Sequence, residues 1–119
     1  MVKFEEEKRQ QKIKELRERE EEDLAQILAQ KYKLLYVDLS KMTIDLDFLK
    51  IIPEEESRES QIVVFQGVGK NLQVALKNPQ LDAAKKTIQS LKDKGYQINL
   101  FMASGQSIKK TQERYKEVP

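Results

Sequence analysis

Residues 72–84 read LQVALKNPQLDAA, and the fold turns on how this stretch changes its period. Leu72, Val74 and Leu76 alternate with Gln73, Ala75 and Lys77, the two-residue repeat of a strand with one face in a core. The alternation stops at Asn78-Pro79. An Asn side chain can accept from the free amides of a first helical turn, and Pro at the first helical position gives up a hydrogen bond that was not available there. The spacing therefore predicts a strand, a cap at Asn78 and a helix opened by Pro79. Along that helix Leu81, Ala84, Ile88 and Leu91 share one face, Lys85, Lys86, Gln89 and Lys92 cover the other, and Gly95 is the stop.

Working outward, residues 97–103 predict a strand with Ile98, Leu100 and Met102 on one face and Phe101 and Ala103 on the other. Ser107 is the expected cap of a last helix that aligns Ile108, Thr111 and Tyr115. On the other side, residues 62–65 are four β-favouring residues in a row, and residues 66–71, with two glycines, form the turn of a hairpin. The order from residue 62 is β-β-α-β-α. It predicts an α+β fold in which helices pack on a small mixed three-stranded sheet.

Before the hairpin, residues 46–52 suggest a short apolar helical turn capped by Asp45 and ended by Pro53. Glu54, Glu55 and Glu56 suit the first turn of the helix after it, where carboxylates meet the positive end of the dipole. Residues 36–39 read as a short extended piece. Between residues 23 and 32, Leu24, Ile27, Leu28 and Lys31 or Tyr32 recur at helical spacing and predict a helix that packs on the core through that face. Residues 1–23 carry nine acids and seven bases but only five apolar side chains, and contain no Gly or Pro. They predict a charged, solvated helix or linker in front of a domain of residues 24–117.

Composition narrows the chemistry. The chain has 119 residues, 35% of them charged, which suits one domain with an appendage. It has neither cysteine nor histidine, so thiolate chemistry, disulfides, the commonest zinc ligands and the commonest general base are all excluded. No apolar run approaches the ~20 residues of a membrane span, and the N-terminus lacks the apolar core of a secretory signal. The expectation is a cytoplasmic module.

Three constellations invite a functional reading. Gly67-Val68-Gly69-Lys70-Asn71 superficially suggests a phosphate loop, but such a loop needs four residues between its glycines, Ser or Thr after the lysine, and a helix next. Here one residue separates the glycines and a strand follows, so the reading is a hairpin turn. Asp38, Asp45 and Asp47 lack the spacing of a calcium loop and read as caps and turn residues. Lys85, Lys86, Lys92, Lys109 and Lys110, with Lys94 and Arg114 nearby, offer a candidate surface for an acidic partner. No aromatic platform is interleaved with them, which argues against nucleic acid. No catalytic, cofactor or metal residues are assigned.

One resemblance joins these pieces. With LAQILAQKYKLLYVDL at residues 24–39, IIPEE at 51–55 and LQVALKNP at 72–79, the chain resembles the N-terminal domain of type II secretion and type IV pilus assembly ATPases. Tyr36, Val37, Asp38 and Leu39 match the family's strand, Ile52 to Glu55 its short helix, and Leu72, Val74, Ala75 and Pro79 its hairpin and helix start. Lys33 and Leu35 stand where the family often has Gly and Pro, and Asn78 where it has Asp. The Arg-Leu-Gly motif through which some members bind cyclic di-GMP has no counterpart in residues 3–23.

The resemblance implies a non-catalytic docking and regulatory domain, peripheral to the inner membrane through a cytoplasmic or inner-membrane assembly protein. It implies a hexameric parent ATPase, with ATP and magnesium held only in a C-terminal ATPase domain that this chain lacks. Cyclic di-GMP sensing, which the absent motif disfavours, and a lysine-face nucleic-acid binder are the alternatives.

Overall fold

The alternation read in residues 72–77 becomes the centre of a sheet buried on both faces. The computed structural model describes the backbone of residues 2–119 and the side chains of residues 12–119; the solvated character read for residues 1–11 of the charged tract lies outside the described side chains. Strand β2 (Ile62–Val68) and strand β3 (Asn71–Leu76) form an antiparallel hairpin, with Ile62 opposite Leu76 and Val64 opposite Val74. The register slips at Phe65, whose carbonyl instead accepts from the Asp45 amide at 2.9 Å. Strand β4 (Gln97–Met102) lies parallel to β3, pairing Leu72 with Ile98 and Val74 with Leu100. A mixed sheet with helices on it is the expected α+β architecture.

The sheet has one strand more than the three expected. Strand β1 (Leu35–Tyr36) runs parallel to β4 and completes the order β1-β4-β3-β2. Two residues are too few to show a period, so only the pairing with β4 identifies them as strand. They lie inside the segment read as extended.

Each face of the sheet carries its own core. Ile62, Val64, Leu72, Val74 and Leu76 pack with Ala84 and Leu91 of helix α4 (Asp82–Asp93). Val63, Phe65 and Ala75 face the other way, against Ile108 of helix α5 (Gly105–Gln112), Tyr115 of the 3-10 helix Glu113–Glu117, and Leu49 of helix α2 (Leu46–Leu49). Phe65 meets Phe101 edge-on at 5.6 Å between ring centroids. The Tyr115 hydroxyl donates to the Ile52 carbonyl at 2.7 Å, fixing the chain between α2 and helix α3 (Glu54–Ser60).

Local caps agree with the sequence at some helix ends and move at others. Asp45 caps α2 by accepting from the Asp47 amide at 3.0 Å, and Glu54, Glu55 and Glu56 occupy the first turn of α3. Asn78, expected to cap a helix opened by Pro79, instead accepts from the Gln80 amide at 2.9 Å in a separate turn, and α4 starts at Asp82. A short polar side chain closes its own turn as readily as it caps a helix. The last helix begins earlier than Ser107: Ser104 is the cap, and its hydroxyl accepts from the Ser107 amide.

The N-terminal part departs most. Helix α1 is continuous over Val2–Tyr32, because no Gly, Pro or competing cap interrupts residues 3–32. Its packed face is built from Ala25, Ala29 and the half-buried Leu28 and Tyr32, which meet Met102. Leu24 and Ile27, expected on that face, are 55% and 62% exposed. The alanines sit against Met102 with Leu28 and Tyr32 beside them, and Leu24 and Ile27 turn outward.

Candidate functional site

Two polar clefts lie on either side of α5. The first, about 330 Å³, is enclosed by α1, α5 and the segment after β1. Its centre is Glu22, whose carboxylate accepts from the Tyr36 hydroxyl at 2.6 Å, from the Ser104 hydroxyl, and from Gln106 Nε2 at 2.7 Å. Gln106 Nε2 also donates to the Glu18 carbonyl at 2.8 Å. Burial, the hydrogen bond to Glu22 and the charge of Glu22 push the Tyr36 phenol far above its ordinary pKa. Glu15, Glu18, Glu22 and Asp38 against Arg19 and Lys110 make this cleft acidic. The hydroxyl of Ser104 is occupied by Glu22 and Ser107, so the arrangement fastens α1 to the sheet and activates no nucleophile.

The second cleft, about 480 Å³, opens between α3, the end of β3 and α5. Ile108 and Gln112 form its floor, and Gln112 Nε2 is committed to the Ser57 carbonyl at 2.9 Å. Its rim is basic: Arg58, Lys77, Lys109 and Lys116 against the single acid Glu113. Arg58 is paired with Glu54 at 2.9 Å. Among the described residues Lys77, Lys109 and Lys116 form no ion pair. The Lys77 side chain lies across Gly105, where a Cβ would come within 3.1 Å of its Cε, so the glycine gives it room.

The lysines singled out from the sequence are all exposed, but they do not share one surface. Lys85, Lys86 and Lys92 lie on α4 and Lys109 and Lys110 on α5, and the sheet separates the two helices. Lys109 lines the basic cleft and Lys110 the acidic one. Sequence reasoning did not find Glu22, which looks like any other acid of the charged tract, nor Lys77 and Lys116, whose convergence with Lys109 exists only in the fold.

The remaining constellations are structural. Gly67 and Val68 belong to β2, and Gly69 and Lys70 make the hairpin turn, with Gly69 at φ +59°. Asp38 accepts from the Ser40 amide and hydroxyl at 3.0 and 2.6 Å, ahead of a single 3-10 turn at Leu39–Lys41. Asp45 caps α2. Among the described residues no group of three or more acids is placed to hold a metal, and no helix is long and apolar enough to cross a membrane.

Comparison with known proteins supports the resemblance read from the sequence. Over 96 residues the chain is 29% identical to the type IV pilus assembly ATPase PilB of Myxococcus xanthus (strain DK1622), a match covering 81% of this chain. The chain spans only 17% of that relative's length. The structure of MshE with cdg is similar at a TM-score of 0.69 and 28% identity, covering 77% of this chain and 66% of that one. The N-terminal domain of XpsE shares the fold at a TM-score of 0.52 and 18% identity, over 79% and 65%. The family model of the MshEN domain matches residues 32–118, from the last turn of α1 to the end of the last 3-10 helix, and the chain belongs to the MshEN domain family.

Proposed function

We propose that this chain is a non-catalytic regulatory domain of a pilus or secretion ATPase and that it responds to cyclic di-GMP. The observation that carries the ligand reading is the likeness to MshE, solved with cdg, at 28% identity over 77% of the chain. It outweighs the lack of an Arg-Leu-Gly motif in residues 3–23. The electrostatics of the chain favour one place for a ligand with two phosphates. The acidic cleft around Glu22 repels it, whereas Lys77, Lys109 and Lys116 converge on the other cleft without carboxylate partners. A volume of about 480 Å³ is within the range of small-ligand sites.

Calorimetry with cyclic di-GMP tests the reading. Binding with a dissociation constant of about 100 µM or tighter is expected. Lys77→Glu and Lys116→Glu should each weaken it at least tenfold. No heat from folded protein at about 100 µM would sink the ligand reading.

The second reading is docking to an assembly protein at the inner membrane. Its support is the set of exposed lysines on α4, Lys85, Lys86 and Lys92, which form no ion pairs among the described residues and outnumber the two exposed acids of the same face, Asp82 and Asp93. Pull-down against the machine's cytoplasmic assembly proteins tests it, with Lys85→Glu/Lys86→Glu expected to abolish capture. ATP and magnesium belong, on either reading, to the parent ATPase beyond these residues.

A further inference from the structure

Among the described residues, the exposed apolar side chains of α1 are not scattered. Ile13, Leu16, Leu24 and Ile27 are 49%, 55%, 55% and 62% exposed, yet at about 100° per residue they fall within an arc of about 80°. Ala25, Ala29, Glu18 and Glu22, which meet the body of the domain, lie on nearly the opposite side of the helix. Every residue from Lys12 to Arg17 is exposed, so the N-terminal half of the stripe has no cover among the described residues.

The stripe is symmetric. Its spacings of three, eight and three residues are the same read in either direction about Glu20, which points along the middle of the arc. The charges beside it share that centre. Arg17 and Glu21 flank one side of the stripe, Asp23 and Arg19 the other, at matched angles.

We infer that α1 pairs with α1 of a second copy of this chain, antiparallel about a two-fold axis at Glu20. In that arrangement Ile13 of each copy lies level with Ile27 of the other, and Leu16 level with Leu24. Along one flank Arg17 comes within about two residues' rise, ~3 Å, of the opposing Glu21, and along the other Arg19 does the same with Asp23. An isologous two-fold contact requires this self-complementarity, in which i meets j and j meets i. A parallel pair would instead bring Arg17 beside Arg19 of the other copy and Glu21 beside its Asp23, like charge against like. The bodies do not compete for space, since each is packed on the side of its helix away from the stripe. The one repulsive contact is Glu20 against Glu20 on the axis; a polar residue in such a seam weakens the pairing while fixing its register.

The inference is independent of cyclic di-GMP and of any assembly protein, and the whole 119-residue chain tests it. Sedimentation equilibrium should show a reversible dimer whose association strengthens at least tenfold in Glu20→Leu and weakens at least tenfold in Leu24→Glu, with unchanged far-ultraviolet circular dichroism in both. The native chain has no cysteine, so introduced thiols report orientation cleanly. In a glutathione redox buffer Glu20→Cys should give a disulfide-linked dimer, as should the pair Leu16→Cys/Leu24→Cys. Ile13→Cys alone should not, because the two copies of residue 13 stand about 21 Å apart along the axis. A Glu20→Leu chain that stays monomeric at several hundred micromolar, or cross-linking through Ile13→Cys in preference to Glu20→Cys, overturns the proposal.

Discussion

The Tyr36 hydroxyl donates to the Glu22 carboxylate at 2.6 Å, tying the longest helix of the molecule to the shortest strand of its sheet. Because the apolar contact beneath α1 consists of alanines, Leu28 and aromatic edges around Met102, this carboxylate carries much of the attachment. Glu22→Ala would leave the donors of Tyr36, Ser104 and Gln106 without their shared acceptor. A loss of about 1–3 kcal/mol is expected, the usual cost of stranding partly buried polar groups. Hydrogen exchange should show it as deprotection over residues 18–32 with α4 unchanged; equal deprotection of both helices would mean that α1 is held by something else.

Alkaline pH gives a second test. Burial raises the pKa of Tyr36 and of Tyr115, with the Glu22 hydrogen bond adding to the effect at Tyr36. In the unfolded chain both phenols ionise near pH ~10, while the folded chain retains their protons. Below that pH the two states bind equal numbers of protons at these sites. Above it the unfolded state binds fewer, so stability falls as pH rises. Thermal melts from pH 8 to 11 should therefore decline less steeply in Tyr36→Phe and in Tyr115→Phe than in the parent chain. Parallel curves would show that these phenols ionise alike in both states.

The elements after residue 62 were legible because their signals are local and repeated. Leu72, Val74 and Leu76 alternate, Ala84 and Leu91 recur at helical spacing, and the fold buries each on the side its period gives. Before residue 62 the informative contacts are distant. Leu35 and Tyr36 are a strand only because Phe101 and Met102 lie beside them. The packed face of α1 is marked by Ala25 and Ala29, which are as common on exposed helix faces, while Leu24 and Ile27 carry a stronger apolar signal and point to solvent. The basic cleft gathers Lys77, Lys109 and Lys116 from three elements, and no spacing along the chain announces that. Rejecting the phosphate loop at Gly67 needed only the chain itself, because the wrong spacing and a following strand are both local facts.

Gly67 also has a packing reason to be glycine. A Cβ there would sit 2.5 Å from Cε1 of Phe48, whose ring lies over this point of β2, and 2.9 Å from the Asn71 carbonyl oxygen. Gly67→Ala must displace the ring or the strand, and a loss of about 1–3 kcal/mol is expected from such overpacking. Denaturant unfolding measures it. Gly67→Ala combined with Phe48→Ala should cost less than the sum of the two single changes, since removing the ring removes the tighter of the two clashes and leaves only the Asn71 carbonyl.

Lys33 offers a gain in stability. It stands at φ +57°, just past the end of α1, where the Leu34 amide donates back to the Ala29 carbonyl at 2.9 Å and the Lys33 amide to Gln30 at 3.2 Å. These two bonds form the Schellman closure of a helix, with Leu34 packed beside Ala29 in the same cluster. Helix α4 ends the same way, with Gly95 at φ +90° donating to Lys92 and Tyr96 to Leu91. The closure needs a left-handed residue, which glycine adopts without a steric penalty and lysine does not. Lys33→Gly should stabilise the chain by about 0.5–1 kcal/mol, the relief of strain exceeding the extra freedom given to the unfolded chain. A rise of about 2–6 °C in the melting temperature is expected, with Gly95→Ala moving it down. An unchanged or lower melting temperature in Lys33→Gly would show that the lysine side chain contributes more than its backbone costs.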